Sequence, residues 1–199
     1  GEFQGNLPYD VVDPDVRRML QDSCARLVRG GAELLALLEE ELATWQGKLA
    51  GADRDVEILW KPSPRKPQLE KSLQMSLRRA LRDQLEARRH TFLVTREAET
   101  SPRVVELAAE QPDFLVAALG DGEWSQVLIE VKRSGHREVL TAMETQLVDR
   151  YLATSDFNHG LYVVFWFPGH SHPKLRSADD ARRYFAAQAR GLARSRGVD

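Results

Sequence analysis

Apolar residues recur along the chain with two periods, and the switches between them set the expected elements. Leu20, Leu27, Leu34, Leu35, Leu37, Leu38 and Leu42 give an apolar face to residues 13–49. Asp13-Pro14 opens that segment as a cap followed by proline at the first helical position, and Gly30-Gly31 is expected to break or bend the helix. Glu39-Glu40-Glu41 reads as its solvated face. Residues 50–67, with Gly51, Pro62, Pro64 and Pro67, read as a connector holding one short strand at 56–60. Leu69, Leu73, Leu77, Leu81 and Leu85 then sweep a single arc, which predicts a helix over 68–88. Strands are expected at 91–96, 113–118 and 125–133, the last two joined by a hairpin at Gly120-Asp121-Gly122. Val139, Met143 and Leu147 mark the inward face of a helix over 137–153. Residues 160–167 are apolar without interruption, which predicts a buried strand rather than an edge. Ser177 caps a last helix to about 194, with Ala178, Ala181, Phe185, Ala189 and Leu192 on one face.

The order from 68 to 167 is helix, three strands, helix, strand. The expected fold is α/β, with a mixed sheet flanked by helices and an N-terminal helical extension packed on it or serving assembly. Residues 4–60 are assigned to the extension and connector, and 61–197 to the main domain. The segment 97–111 is longer than a tight connection between two strands and reads as a substrate loop carrying Arg103.

Composition narrows the class. A chain of 199 residues with 42% hydrophobic and 29% charged residues can bury a core and is neither a disordered tail nor a membrane protein. It shows no signal-peptide pattern, and its one cysteine, Cys24, excludes an internal disulfide and a cysteine-based zinc site, so the cytosol is the default compartment. Gly1-Glu2-Phe3 and Val198-Asp199 read like translated cloning sites, and the chain reads as a piece of a larger protein. The net charge of −2 argues against coating nucleic acid nonspecifically. Its distribution is uneven: residues 61–100 carry 10 basic and 5 acidic groups, 101–168 carry 5 and 10, and 169–199 carry 7 and 3. An acidic centre between basic walls suits a carboxylate metal site that handles a polyanion, and on composition alone it suits an ordinary charge-mixed soluble domain better.

The candidate chemistry sits in the strand 125–133. Alternation puts Val127, Ile129 and Val131 on one face and Leu128, Glu130 and Lys132 on the other. An acid and a lysine in the middle of an apolar strand are costly to bury unless paired or used; an exposed edge is the alternative. The hairpin places Asp113 opposite Glu130, since both are nearly equidistant from the turn. Two carboxylates facing each other repel, and a divalent cation between them removes that penalty. Hard oxygen ligands point to Mg²⁺, for which Mn²⁺ can substitute, with the Val131 carbonyl as a further ligand. Glu70 falls inside the leucine arc and should point inward, unless it serves as a helix N-terminal acid; Gln74 lies inside the same arc. Gln146 and Arg150 project near the inward face of 137–153 and would orient water or substrate and meet phosphate. Arg133 and His136, which follow the lysine strand, are further phosphate contacts. The strip Arg78, Arg79, Arg82, Arg88 and Arg89 lies outside the leucine stripe except for Arg88; its Arg78 and Arg82 could track a backbone. His170 and His172 read as loop histidines, Cys24 as a core residue, and Trp60, Trp124 and Trp166 as core or turn anchors.

Pro112-Asp113, sixteen residues, then Glu130-Val131-Lys132 resembles the signature of the PD-(D/E)XK nuclease superfamily. Glu70 and Gln146 stand where that superfamily has its helical glutamate and the glutamine after the lysine strand. The stretch from Glu130 to Leu152 is most similar to members fused to bacterial conflict and defence proteins, and the likeness covers about residues 65–168. It implies a restriction-endonuclease-like core and metal-dependent phosphodiester hydrolysis. Asp113, Glu130 and Val131 would hold the ion, and Glu70 would serve a second ion or act through water. Lys132 would position the attacking water, and Gln146 would orient water or the backbone. Double-stranded DNA is the expected partner, although the residues do not separate it from RNA, and a homodimer suits cutting both strands. The reading from another class is an inactive module of the same fold that serves binding or assembly.

Overall fold

The computed structural model describes residues 28–51, 55–62, 65–88, 92–95, 112–120 and 123–197. The expectations for the helix over 13–27, Cys24, Arg89, the hairpin residues 121–122 and the segment 97–111 with Arg103 lie outside them.

Helix α1 spans Gly31–Ala50, with Gly30 in extended backbone as its N-cap. The paired glycines therefore start this helix. Gly31 has a packing reason, because a Cβ there would run into the imidazole of His159. A 3₁₀ turn over Asp55–Leu59 leads into a two-residue ribbon, β1 (Trp60–Lys61) against β2 (Lys66–Pro67). The short strand expected at 56–60 is thus mostly 3₁₀, with pairing delayed to Trp60. Helix α2 runs over Glu70–Glu86 and buries Leu73, Leu77, Leu81 and Leu85.

The main sheet holds β3 (Phe92–Thr95), β4 (Phe114–Gly120), β5 (Glu123–Arg133) and β6 (Gly160–Phe165) in that spatial order. The first three form an antiparallel meander, and β6 returns parallel to β5. A parallel return needs a crossover, here supplied by helix α3. The sheet is therefore mixed, as expected. Strand β5 is central, and 127–132 are buried on both faces, which removes the exposed-edge alternative for Glu130 and Lys132.

Two expectations are corrected. Residues 160–167 were expected to avoid the edge, but β6 is the edge strand of the sheet and is half-buried over most of its length. Its unbroken apolar run arises because both of its faces are covered. Leu161 and Val163 pack on the core shared with α1 and α2, while Tyr162 and Val164 pack on the clusters of the opposite face. The helix expected over 137–153 is shorter. Residues 137–141 form turns, and α3 covers Met143–Leu152 with π-type winding, in which the Ala153 N–H reaches the Val148 carbonyl at 2.9 Å.

Helix α4 spans Ala178–Arg196, and the Ser177 hydroxyl accepts from the Asp180 N–H at 3.1 Å, as the capping pattern predicts. The fold has three layers: α1 and α2 on one face of the sheet, α3 and α4 on the other. Leu34, Leu37 and Leu38 of α1 share one core with Leu73, Leu77, Phe114, Ile129 and Val131. A further correction concerns Glu41. It is only 6% exposed rather than part of a solvated face, and it forms an ion pair with Arg88 beyond the end of α2. Among the described residues, no helix is long and apolar enough to cross a membrane.

Candidate functional site

The hairpin register brings the carboxylates together. Phe114 pairs with Ile129, so one step further along the ladder Asp113 stands opposite Glu130. Period-two alternation then sets Asp113, Glu130 and Lys132 on the sheet face covered by α3 and α4. Asp113 is held firmly: its Oδ2 accepts the Val131 N–H at 2.6 Å and its Oδ1 accepts from Gln74 Nε2 at 2.6 Å. Glu70, in the first turn of α2, reaches the same place. Its Oε2 accepts the Arg133 N–H at 3.3 Å and its Oε1 lies 3.7 Å from Lys132 Nζ. Lys132 Nζ donates to Glu130 Oε1. Glu130 Oε2 is buried and has no hydrogen-bond partner among the described residues.

Glu130 is 2% exposed and Lys132 5%. Burial, reinforced by the Asp113 charge, pushes the Glu130 carboxyl from the usual 4.5 up to about 7, although Lys132 opposes the shift. Burial alone would lower the Lys132 ammonium, but the charge and hydrogen bond of Glu130, with Glu70 and Asp113 behind it, outweigh burial and hold it above its usual value. The surroundings respond to the same negative charge. Tyr162 pairs with Glu130 in the parallel register, and its phenol, which donates to the Val139 carbonyl at 2.8 Å, is driven well up by burial and then by Glu130. Burial and Glu130 also push Tyr151 up to about 12.

These shifts set a pH dependence. Between about 4.5 and about 7, the folded protein keeps a proton on Glu130 that the unfolded chain has released. The folded state binds more protons in that window, so stability falls as pH rises through it. Lys132 adds stability that is lost only above its usual range, outside the window. In EDTA, the melting temperature should drop from pH 5 to pH 8, and the Glu130→Gln protein should show a flatter profile. Parallel profiles for the two proteins would contradict this assignment.

Of the residues expected to act together, Asp113, Glu130, Lys132 and Glu70 converge, and the Val131 carbonyl belongs to the same strand segment. Gln146 does not join them through its amide, which donates to Glu138 Oε2 at 3.0 Å. Arg133 is half-buried, with its Nε lacking a partner among the described residues. His136 is half-buried and Arg150 is exposed beside Tyr151. On α2, Arg78 is half-buried and Arg82 lies 3.6 Å from Glu86 and 4.0 Å from Asp83. Sequence reasoning missed Gln74 as the partner of Asp113. The available signal was its position one turn after Glu70 on the same helix face. An apolar groove of about 510 Å³ runs along β6 between α1 and α4, lined by Trp45, Phe165, Trp166 and Phe185 among others, and none of the site carboxylates lines it.

The donor set suits a hard divalent cation. A buried carboxylate oxygen without a partner, facing a second carboxylate, is a group whose charge a cation would neutralise. Among the described residues no three of His, Cys, Asp and Glu are already gathered at metal-holding spacing. The set would therefore be Asp113, Glu130 and the Val131 carbonyl, completed by water.

A family model described as a domain of unknown function, DUF8371, matches residues 50–169. No curated protein matches the chain, and no solved structure does.

Proposed function

The chain belongs to the DUF8371 family, and we propose that its site hydrolyses phosphodiester bonds of nucleic acid, DNA before RNA, with Mg²⁺ or Mn²⁺ held by Asp113 and Glu130. The observation that carries this reading is the buried, unpartnered Glu130 Oε2 beside Asp113 and Lys132. The path from α2 through three antiparallel strands and α3 to a parallel β6 supports a restriction-endonuclease-like core. When bound, a divalent cation supplies a water of lowered pKa and neutralises charge at the scissile phosphate. Asp113, fixed by Gln74 and Val131, presents a preoriented ligand. Glu130 is the ligand whose burial makes the site depend on a cation. Lys132, held between Glu130 and Glu70, orients the attacking water and meets charge that builds on the phosphate. In the metal-free site the neighbouring carboxylates hold Lys132 as a cation, which suits positioning and charge stabilisation.

A second reading is an inactive binding module of the same fold. It draws on the two hydrogen bonds that already engage Asp113 and on the direct Lys132–Glu130 contact. Cleavage of supercoiled plasmid separates the two. The active reading expects nicking or linearisation with Mg²⁺ or Mn²⁺, none in EDTA, and a loss of about two to three orders of magnitude for Lys132→Ala. Equal background from wild type and variant in all three conditions would leave the inactive module.

A further inference from the structure

Two loops leave the carboxyl ends of the parallel pair β5–β6, and the structure clamps them to each other. The Ser134 N–H donates to the Phe165 carbonyl at 2.8 Å, and the Ser134 hydroxyl accepts the Phe167 N–H at 3.0 Å. The His172 N–H donates to the Ser134 carbonyl at 2.6 Å. Ser134 is fully buried, and a Cβ at Gly135 would collide with the His170 carbonyl. Trp60 sets its ring edge-on to Phe167 at 5.1 Å and to His170 at 5.9 Å. The two loops therefore present one rigid surface, at the end of a parallel strand pair where α/β sheets bind ligands.

That surface is basic. Residues 133–138 and 168–176 carry Arg133, Arg137, Lys174 and Arg176 against one acid of their own, Glu138, while Asp180 of α4 accepts the Arg176 N–H at 3.1 Å and lies 3.7 Å from Arg183. Glu138 already receives Arg137 at 3.2 Å and Gln146 at 3.0 Å. Lys174 and Arg176 are exposed. The Nδ1 of His136 accepts the Glu138 N–H, and the Nδ1 of His172 accepts the Lys174 N–H, both at 3.2 Å. With Nδ1 engaged as an acceptor, each imidazole has Nε2 left to donate from. On α2, by contrast, Arg79 lies 3.7 Å from Asp83 and Arg82 lies 3.6 Å from Glu86, so acids on the same helix offset their charge. The loop surface also begins at the site: the Arg133 N–H is bonded to Glu70, directly after Lys132.

We propose that this loop pair is the surface on which the phosphate backbone of the nucleic acid docks, with Lys174 and Arg176 as phosphate contacts and His136 and His172 as donors through Nε2. The proposal rests on the hydrolytic reading above and locates its substrate. Charge complementarity carries it, because each phosphate met by a cation releases condensed counterions and makes binding salt-dependent.

The test is fluorescence anisotropy of a labelled DNA duplex with the full chain in EDTA, where no cleavage is required. Titration over about 50 to 200 mM salt should show Lys174→Gln/Arg176→Gln binding roughly tenfold more weakly at the low-salt end, with a log–log salt slope shallower by about 2. Lys174→Gln alone should lower the slope by about 1, and Arg79→Gln/Arg82→Gln, whose charges Asp83 and Glu86 already offset, should leave it near the wild-type value. An unchanged slope in the loop variants overturns the proposal. So does an equal or larger loss from the α2 pair, or a wild type that does not bind the duplex. Metal-dependent plasmid cleavage together with an unchanged slope in the loop variants would overturn the docking surface alone, so the two readings fail separately.

Discussion

Replacing Glu130 by Gln abolishes metal-dependent cleavage, with an expected fall of about three orders of magnitude or more in rate at saturating Mg²⁺. Glutamine keeps the size of the side chain and can still meet Lys132. It removes the charge that faces Asp113 across the hairpin and the oxygen that lacks a partner. The same substitution therefore acts in opposite directions on two measurements. Metal-free protein near pH 8 should become more stable, because a buried charge has been deleted from a like-charged pair. Stabilisation by Mn²⁺ should disappear. A cation that binds only the folded state raises stability by RT ln(1 + [L]/Kd), about 2.7 kcal/mol at a concentration one hundred times Kd. Thermal melts with and without Mn²⁺ read this gain in the wild type and its loss in the variant. An equal Mn²⁺ response in both proteins would remove Glu130 from the ligand set and remove with it the hydrolytic reading of this site.

The second large effect is structural. Arg88→Met should cost about 3–5 kcal/mol of stability, a large share of the roughly 5–15 kcal/mol that an ordinary domain has. Arg88 and Glu41 form an ion pair whose side chains are 12% and 8% exposed, linking the segment just after α2 to the middle of α1. With its amide nitrogen turned toward Glu41, Gln84 donates to the Glu41 carboxylate at 2.6 Å and to its carbonyl at 2.9 Å. Removing the guanidinium leaves a buried carboxylate whose remaining partner among the described residues is the Gln84 amide. Replacing both partners with apolar residues should be far milder, because no charge is then stranded. Urea unfolding of Arg88→Met and of Glu41→Leu/Arg88→Met reads the difference. A double variant no more stable than the single one would show that the segment depends on packing of the arginine stem instead of on the charge pair.

Much of the site was legible because its spacing is local. Alternation along 125–133 places Glu130 and Lys132 on one face, and the short turn brings Asp113 to Glu130 in the register that the ladder adopts. The leucine period of α2 turns Glu70 inward, and the structure puts it within reach of Lys132 and the Arg133 amide. Long-range contacts were not legible. Gln74 reaches Asp113 across 39 residues and Glu41 meets Arg88 across 47, and no pattern within either segment encodes the other. Gln146 read as a site residue from its place near the inward face of 137–153 and from the family resemblance, yet the turns at 137–141 bring Glu138 to its amide.

By itself, the sequence determined the period of α1, α2, α4 and the strands of the hairpin, the hairpin partners, the capped final helix and the chemical types available at the centre, because each of these depends on neighbours within a turn or a tight loop. Only the tertiary structure decided that β6 takes the edge, that Glu41 is buried, and that the loops after β5 and β6 form one basic surface. Strand order, burial of a helix face and the meeting of two loops follow from packing segments distant along the chain. One-dimensional pattern records that these residues need partners, while the partners themselves are chosen when the layers close.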